Sequence, residues 1–240
     1  MSNGIVARGS EEFLPYIVSL MMPVDKTNAD ACTGVLVGAR HVLTAAHCID
    51  EAKSIQVVRY GKKLTNTKQK AVAWKIHPDF PTPLRKRLGL EGSAVDIAAV
   101  LLEKSFPPPY ARLPDASKQN DDNAMYVGVG TSEGEKFDLK VRYGKKIQAH
   151  RVDIRPWGAI WESRGQAKLC PGDSGGPLFS STGEVLGVAS TGVGRTLSDR
   201  CGTADAAHHA DVQTHLKWVA CVGKGWGVPF PGLEKVDCAR

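Results

Sequence analysis

The sequence contains no run approaching the ~20 consecutive apolar residues that a membrane-spanning helix requires. Its first ten residues, "MSNGIVARGS", lack the apolar stretch of a secretory leader. No C-x-x-C pair occurs among the six cysteines, which argues for disulfides over zinc. The densest basic patches, "RYGKK" at Arg59–Lys63 and "VRYGKK" at Val141–Lys146, have no aromatic interleaving and no nucleic-acid-binding motif. They are also too short to mark a repeat. Before Cys170 there is almost no amphipathic helix, and a parallel sheet needs crossover helices. The loop Arg59–Lys70 holds no carboxylate, whereas Ca²⁺ takes several hard oxygen ligands, so no calcium is expected there.

What the chain does contain is short strands. "YIVSL", "TGVLVG", "HVLTAAHC", "SIQVVRY", "DIAAVLLE", "AMYVGVG", "KIQAHRVDI" and "EVLGVAST" are rich in Val and Ile and separated by Gly, Asn, Asp and Lys turns. That pattern predicts an all-β antiparallel barrel or sandwich. With 240 residues there is room for two barrels with real cores. Lys104–Ala124, rich in proline and polar residues, reads as a linker between halves spanning 5–110 and 120–240. His77–Gly92 reads as a long surface loop. One segment, "ADVQTHLKWVACV", is convincingly helical, with Asp211 as cap and Val212, Leu216 and Val219 on one face.

The formal net charge is +6 with scattered Lys and Arg, the mark of a solvated basic surface. No nucleic-acid or membrane partner is expected. An even set of cysteines points to disulfides and to an oxidising compartment, so a secreted or periplasmic location is expected. The absent leader then implies a trimmed chain or an unusual export route. A cytosolic protein with free thiols is the competing reading.

The chemistry concentrates in "KLCPGDSGGPLF", Lys168–Phe179. A serine hydroxyl is a weak nucleophile unless a base takes its proton and a third group holds that base. Glycines around Ser174 let backbone N–H groups turn toward a developing oxyanion. Gly172–Gly176 also fits the G-x-S-x-G elbow of α/β-hydrolases, a rival esterase reading that requires a parallel sheet. Upstream, "LTAAHCID" carries His47 beside Cys48. "AVDIAAVLL" puts Asp96 at the head of an apolar strand, where a buried carboxylate is costly unless paired.

"TAAHC", "DIAAVLL" and "GDSGGPL", in that order, make the chain resemble the trypsin/chymotrypsin-like serine endopeptidases, from "IVARG" to "HLKWVACV". The resemblance implies two antiparallel six-stranded β-barrels with the active site in the cleft between them. It implies His47 as general base, Asp96 as its orienter and Ser174 as nucleophile, with the N–H groups of Gly172 and Ser174 as oxyanion hole. It implies that Ser190–Gly192 forms the edge that pairs with substrate backbone. Lys168 falls at the floor of the primary specificity pocket, where an ammonium disfavours a basic residue before the cut and leaves acidic and neutral ones open. His208 and His209 belong to the expected back wall. A freed amino group at Ile5 is expected to pair with Asp173, so a chain with Met1–Gly4 ahead of it reads as a zymogen. "IVARG" departs from the family in having Ala7 and Arg8 where a glycine pair is usual.

The disulfides Cys32–Cys48 and Cys170–Cys201 follow from the same resemblance; Cys221–Cys238 does not and is assigned by elimination and its short loop. No cofactor and no metal are expected. The expected partners are protein or peptide substrates and protein inhibitors, and the chain is expected to be a monomer. A binding protein on the same fold that has lost catalysis is the remaining alternative. His41, His77, His150 and His215 read as ordinary surface or structural residues.

Overall fold

The computed structural model describes residues 1–25, 28–60, 66–80, 90–115, 118–132, 140–193, 201 and 205–239. The chain opens with a two-residue strand, β1 (Ile5–Val6). Six strands then close into an antiparallel barrel: β2 (Ile17–Pro23), β3 (Ala29–Gly38), β4 (His41–Thr44), β5 (Gln56–Tyr60), β6 (Asn66–Ile76) and β7 (Ala98–Leu102). Their ring order is β2-β3-β4-β7-β6-β5. Closure removes every free strand edge, which an open sheet of this size would have to protect by other means.

The second barrel is built from β8 (Asn120–Gly128), β9 (Arg142–Ile154), β10 (Gly158–Arg164), β11 (Pro177–Phe179), β12 (Val185–Val193) and β13 (Ala206–Asp211). They run in the order β9-β10-β13-β12-β11-β8, and β8 pairs back onto β9 to close the ring. Strand β1, grouped with the first half in the sequence reading, adds to this second barrel through Ile5–Tyr143 and Val6–Arg142. Every pairing between these strands is antiparallel, so the elbow of an α/β-hydrolase has no parallel sheet to sit on among the described residues.

Three apolar clusters hold the molecule. One fills the first barrel around Leu20, Leu36, Val57 and Val100. Another fills the second around Ile147, Trp161 and Leu178, and includes the side chain of Met1. The largest lies between the barrels, where Leu14, Val35 and Leu43 meet Val129, Phe179 and Val188. This shared core fixes one barrel against the other, so residues contributed by each meet in register at the cleft.

The helices are few. α1 (Ala46–Ile49) interrupts the run "HVLTAAHC", which reads as one strand in sequence. The strand ends at Thr44 because the next residues turn into a single helical turn carrying His47. α2 (Leu90–Ala94) ends the segment expected to be a plain loop. α3 (Val212–Gly225) begins where Asp211 accepts from the Thr214 N–H, as its sequence predicts. Its Val212 and Val219 are fully buried in the inter-barrel core. The tail beyond α3 returns through Phe230, also fully buried, and is tied by Cys221–Cys238.

Candidate active site

His47 sits on α1 with its side chain about one-fifth exposed, while Asp96 is fully buried. Two bonds join them. The His47 backbone N–H donates to Asp96 Oδ1 at 2.9 Å, and His47 Nδ1 lies 2.7 Å from Oδ2. The first orients the carboxylate; the second places the Nδ1 proton on it and leaves Nε2 as the basic nitrogen. The Ser190 hydroxyl donates to the same Oδ2 at 2.6 Å, with Ser93 Oγ 3.3 Å from that hydroxyl. Asp96 thus gains from β12 of the second barrel a bond that the sequence does not announce. Behind it, His215 Nε2 on α3 donates to the Ala94 carbonyl at 2.6 Å and holds the turn from α2 into Asp96.

Ser174 is half-buried and is placed by its backbone. Its carbonyl accepts from Thr33 N–H at 2.8 Å, and Thr33 Oγ1 donates to the Gly172 carbonyl at 2.7 Å. Thr33 follows Cys32, whose disulfide to Cys48 lies beside His47. One short chain of bonds therefore links the Ser174 loop of the second barrel to the His47 turn of the first. Gly175 adopts φ +78°, and a Cβ there would lie 2.1 Å from Thr44 Oγ1 and 2.8 Å from Ala45 N. Only glycine allows the loop to come this close to the His47 turn. Gly172 is also left-handed, at φ +90°. Among the described residues the N–H groups of Gly172 and Ser174 donate to no other group of the chain, so both stay available.

Asp173 is fully buried and accepts from three donors: Cys170 N–H and Gly130 N–H at 2.9 Å each, and the α-ammonium of Met1 at 2.9 Å. Burial is the largest influence on its carboxyl and pushes it up, opposed by the ammonium and the two N–H groups. The Met1 ammonium also donates to the Thr131 carbonyl. In the chain with Met1–Gly4 in place, Ile5 is 49% exposed on β1, and the amine on Asp173 belongs to Met1. The reason is steric and apolar together. Ser2 bridges to Lys168 in both directions, at 3.0 and 2.9 Å, and Met1's side chain fills the second-barrel core, so Met1–Gly4 occupy the place expected of Ile5 onward.

Lys168 is half-buried and lines a cavity of only about 10 Å³ with Tyr126, Ser163, Asp205 and Ala207. It forms no ion pair among the described residues; Asp199, the other carboxylate considered for it, lies outside them. His208 and His209 do not line this cavity themselves; His209 sits behind two residues that do, Ser163 and Tyr126. His209 points inward and lies 2.8 Å from Ser163 Oγ; burial, then the charge of His208, lowers its pKa to about 3. His208 faces Glu162 instead. Ser190–Gly192 lie on β12 as expected, with Gly192 exposed and paired to Ala207. Cys170–Cys201 and Cys221–Cys238 are both formed. The only tight cluster of metal-type ligands among the described residues is Cys32, His47 and Cys48, and its two sulfurs are bonded to each other.

The Trypsin family model matches residues 4–219. The chain belongs to the trypsin family. It is 28% identical over 227 residues to the serine protease SP24D of Anopheles gambiae, covering 88% of this chain and 77% of that one. It is 25% identical over 226 residues to coagulation factor XI of Bos taurus, covering 85% of this chain but only 35% of that longer protein. The solved structure of mouse neuropsin, described as a serine protease of the limbic system, superposes with a TM-score of 0.72 at 20% identity, covering 92% of this chain and 99% of the other. At that identity the likeness shows the fold, and the fold is the two-barrel one.

Proposed function

We propose that this trypsin-family chain is a serine endopeptidase working through an acyl-enzyme. The observation that carries the reading is the convergence of His47 and Ser190 on a single carboxylate oxygen of Asp96, beside a glycine-turned loop that presents Ser174. In this reading His47 Nε2 removes the Ser174 proton as Oγ attacks the substrate carbonyl. The imidazolium, stabilised by Asp96, then returns that proton to the leaving amine. The Gly172 and Ser174 N–H groups receive the oxyanion, a contribution of roughly 3–4 kcal/mol per donor in related chemistry. Water repeats the sequence to release the acid. Gly192, exposed on β12, offers backbone groups for an extended substrate.

Lys168 sets the preference at the residue before the cut. A half-buried ammonium with no ion pair among the described residues opposes Arg and Lys, so the preferred side chain is acidic or neutral. Three disulfides support an extracellular site of action. The test of the chemistry is fluorophosphonate labelling. One adduct is expected at Ser174, lost in Ser174→Ala and strongly reduced in His47→Ala; labelling that persists in Ser174→Ala would remove the assignment. A matched peptide series varied only before the cut tests Lys168, and a preference for Arg or Lys would overturn that part alone.

A further inference from the structure

A cavity of about 670 Å³ opens where the helical turn ahead of β2 and the linker meet β8, β9 and the turn after β11. None of His47, Asp96, Lys168 and Ser174 lines it. Its apolar lining is Phe13, Tyr16, Tyr110, Met125 and Phe179. Its cations are Arg112, Lys145 and Lys146, against a single carboxylate, Glu12. We infer that this cavity binds a small amphipathic anion, a flat aromatic body carrying one carboxylate, sulfonate or phosphate group.

The volume falls within the roughly 300–1,000 Å³ of small-molecule sites, which favour the boundary between two domains. A flat ring suits the walls. Tyr16 and Phe179 meet edge to face with centroids 6.2 Å apart, and Tyr16 is only half-buried, so part of its ring is open to an incoming one. The cations are placed there by a bulge. Ala124 on β8 is opposite Ile147 on β9 and Tyr126 is opposite Gly144, so β9 advances three residues where β8 advances two. Lys146 takes the left-handed conformation that favours glycine, at φ +54°. In a regular strand Lys145 and Lys146 would face opposite ways. Here both are exposed and both line the cavity. The backbone thus departs from the ladder at the point that brings two ammonium groups to one place, a strain of the kind found at ligand clamps.

Neither lysine forms an ion pair among the described residues; Lys145 Nζ lies over the Tyr143 ring, 5.3 Å from its centroid. The other carboxylates nearby are engaged elsewhere. Asp121 accepts from the Ser181 N–H at 2.8 Å and from its hydroxyl at 2.9 Å, and Glu184 pairs with Lys118 at 3.0 Å. Arg112 donates to the Thr182 carbonyl, which holds its guanidinium at the wall. With Glu12 as the only acidic group lining it, the cavity carries a net positive charge that favours an anion over a neutral or cationic ring.

The test is calorimetric titration of the intact chain with 2-naphthalenesulfonate, with 2-naphthalenemethanol and inorganic sulfate as the ring-only and charge-only probes. One equivalent of the sulfonate is expected to bind, and each of the other two more weakly. Replacing Lys145 and Lys146 together by alanine alters exposed side chains only and should weaken binding roughly tenfold, as two charge-assisted contacts are lost. Asn123→Trp, which enlarges another exposed lining residue, should abolish binding by filling the cavity. Absence of one-equivalent binding, equal binding of the neutral alcohol, or binding unchanged in both variants would overturn the inference. So would binding lost in Lys168→Ala instead, which would put the probe in the specificity pocket.

Discussion

Ser190 Oγ lies 2.6 Å from Asp96 Oδ2, the oxygen that also faces His47 Nδ1 at 2.7 Å. One serine from the second barrel thus shares a carboxylate oxygen with a histidine from the first. A fully buried carboxylate is stable as an anion only if its lone pairs are met, and here the His47 N–H, the His47 ring and Ser190 together meet them.

Ser190→Ala should therefore lower kcat/KM by roughly tenfold, about the worth of one hydrogen bond to a charged group. The loss should fall mainly on kcat, since Ser190 acts through Asp96 and not on the substrate side chain. Steady-state kinetics on one good peptide substrate decides it. An unchanged kcat would mean the other bonds to Asp96 hold His47 without help.

The pairing of Met1 with Asp173 predicts that the amine is needed for an ordered Ser174 loop. Asp173→Asn, or extra residues ahead of Met1, leaves one buried charge without its partner, at a cost on the order of 3–5 kcal/mol. Peptidase activity and fluorophosphonate labelling should both fall by at least roughly a hundredfold in either variant. Full labelling of the extended chain would show that the loop is ordered by its N–H bonds alone.

His77 and His215 stack edge-on at 4.6 Å between the first barrel and α3, beside Trp218. Burial, then the neighbouring His215, lowers His77 to about 4, with Asp79 pulling weakly the other way. Burial likewise lowers His215, opposed by its bond to the Ala94 carbonyl and by Asp211 and Asp79. Unfolded, both titrate near 6.5, so below that pH the unfolded chain binds more protons than the folded one. The stability carried by the neutral pair is complete above about pH 6.5 and is lost as pH falls toward about 4. Thermal midpoints measured across that range should fall, and His77→Gln should flatten the fall. Equal slopes would place the acid sensitivity elsewhere.

Replacing Cys221 and Cys238 together by serine should cost about 2–4 kcal/mol in urea unfolding, because the bridge closes a loop with a sequence separation of 17. Activity at 25 °C should persist, since the bridge joins the C-terminal half of α3, beyond His215, to the tail that follows it. Loss of activity without loss of stability would contradict that separation.

How much of this was legible in the sequence differs residue by residue. His47, Asp96 and Ser174 are visible because each lies inside a local motif whose composition has a chemical reason: a histidine beside a disulfide cysteine, a carboxylate at the head of an apolar strand, a serine among glycines. The strands β2 to β5 and α3 are visible because alternation and capping are local properties of the chain. β6, "NTKQKAVAWKI", and β13, "AAHHAD", escape notice because one is largely polar and the other is short and rich in Ala and His, and both become strands through pairing with neighbours that are distant in sequence. The same reason hides Ser190's bond to Asp96, 94 residues away. It hides the pairing of Met1 with Asp173, which depends on Met1 fitting a core made by β8, β9 and β10. It hides the cavity beside Lys145 and Lys146, which exists only through the register of β8 on β9 and the meeting of both with the linker. Local sequence determined the kinds of groups this protein carries and most of its elements; barrel closure decided which of those groups meet, because register is set by packing over the whole sheet and not by any one segment.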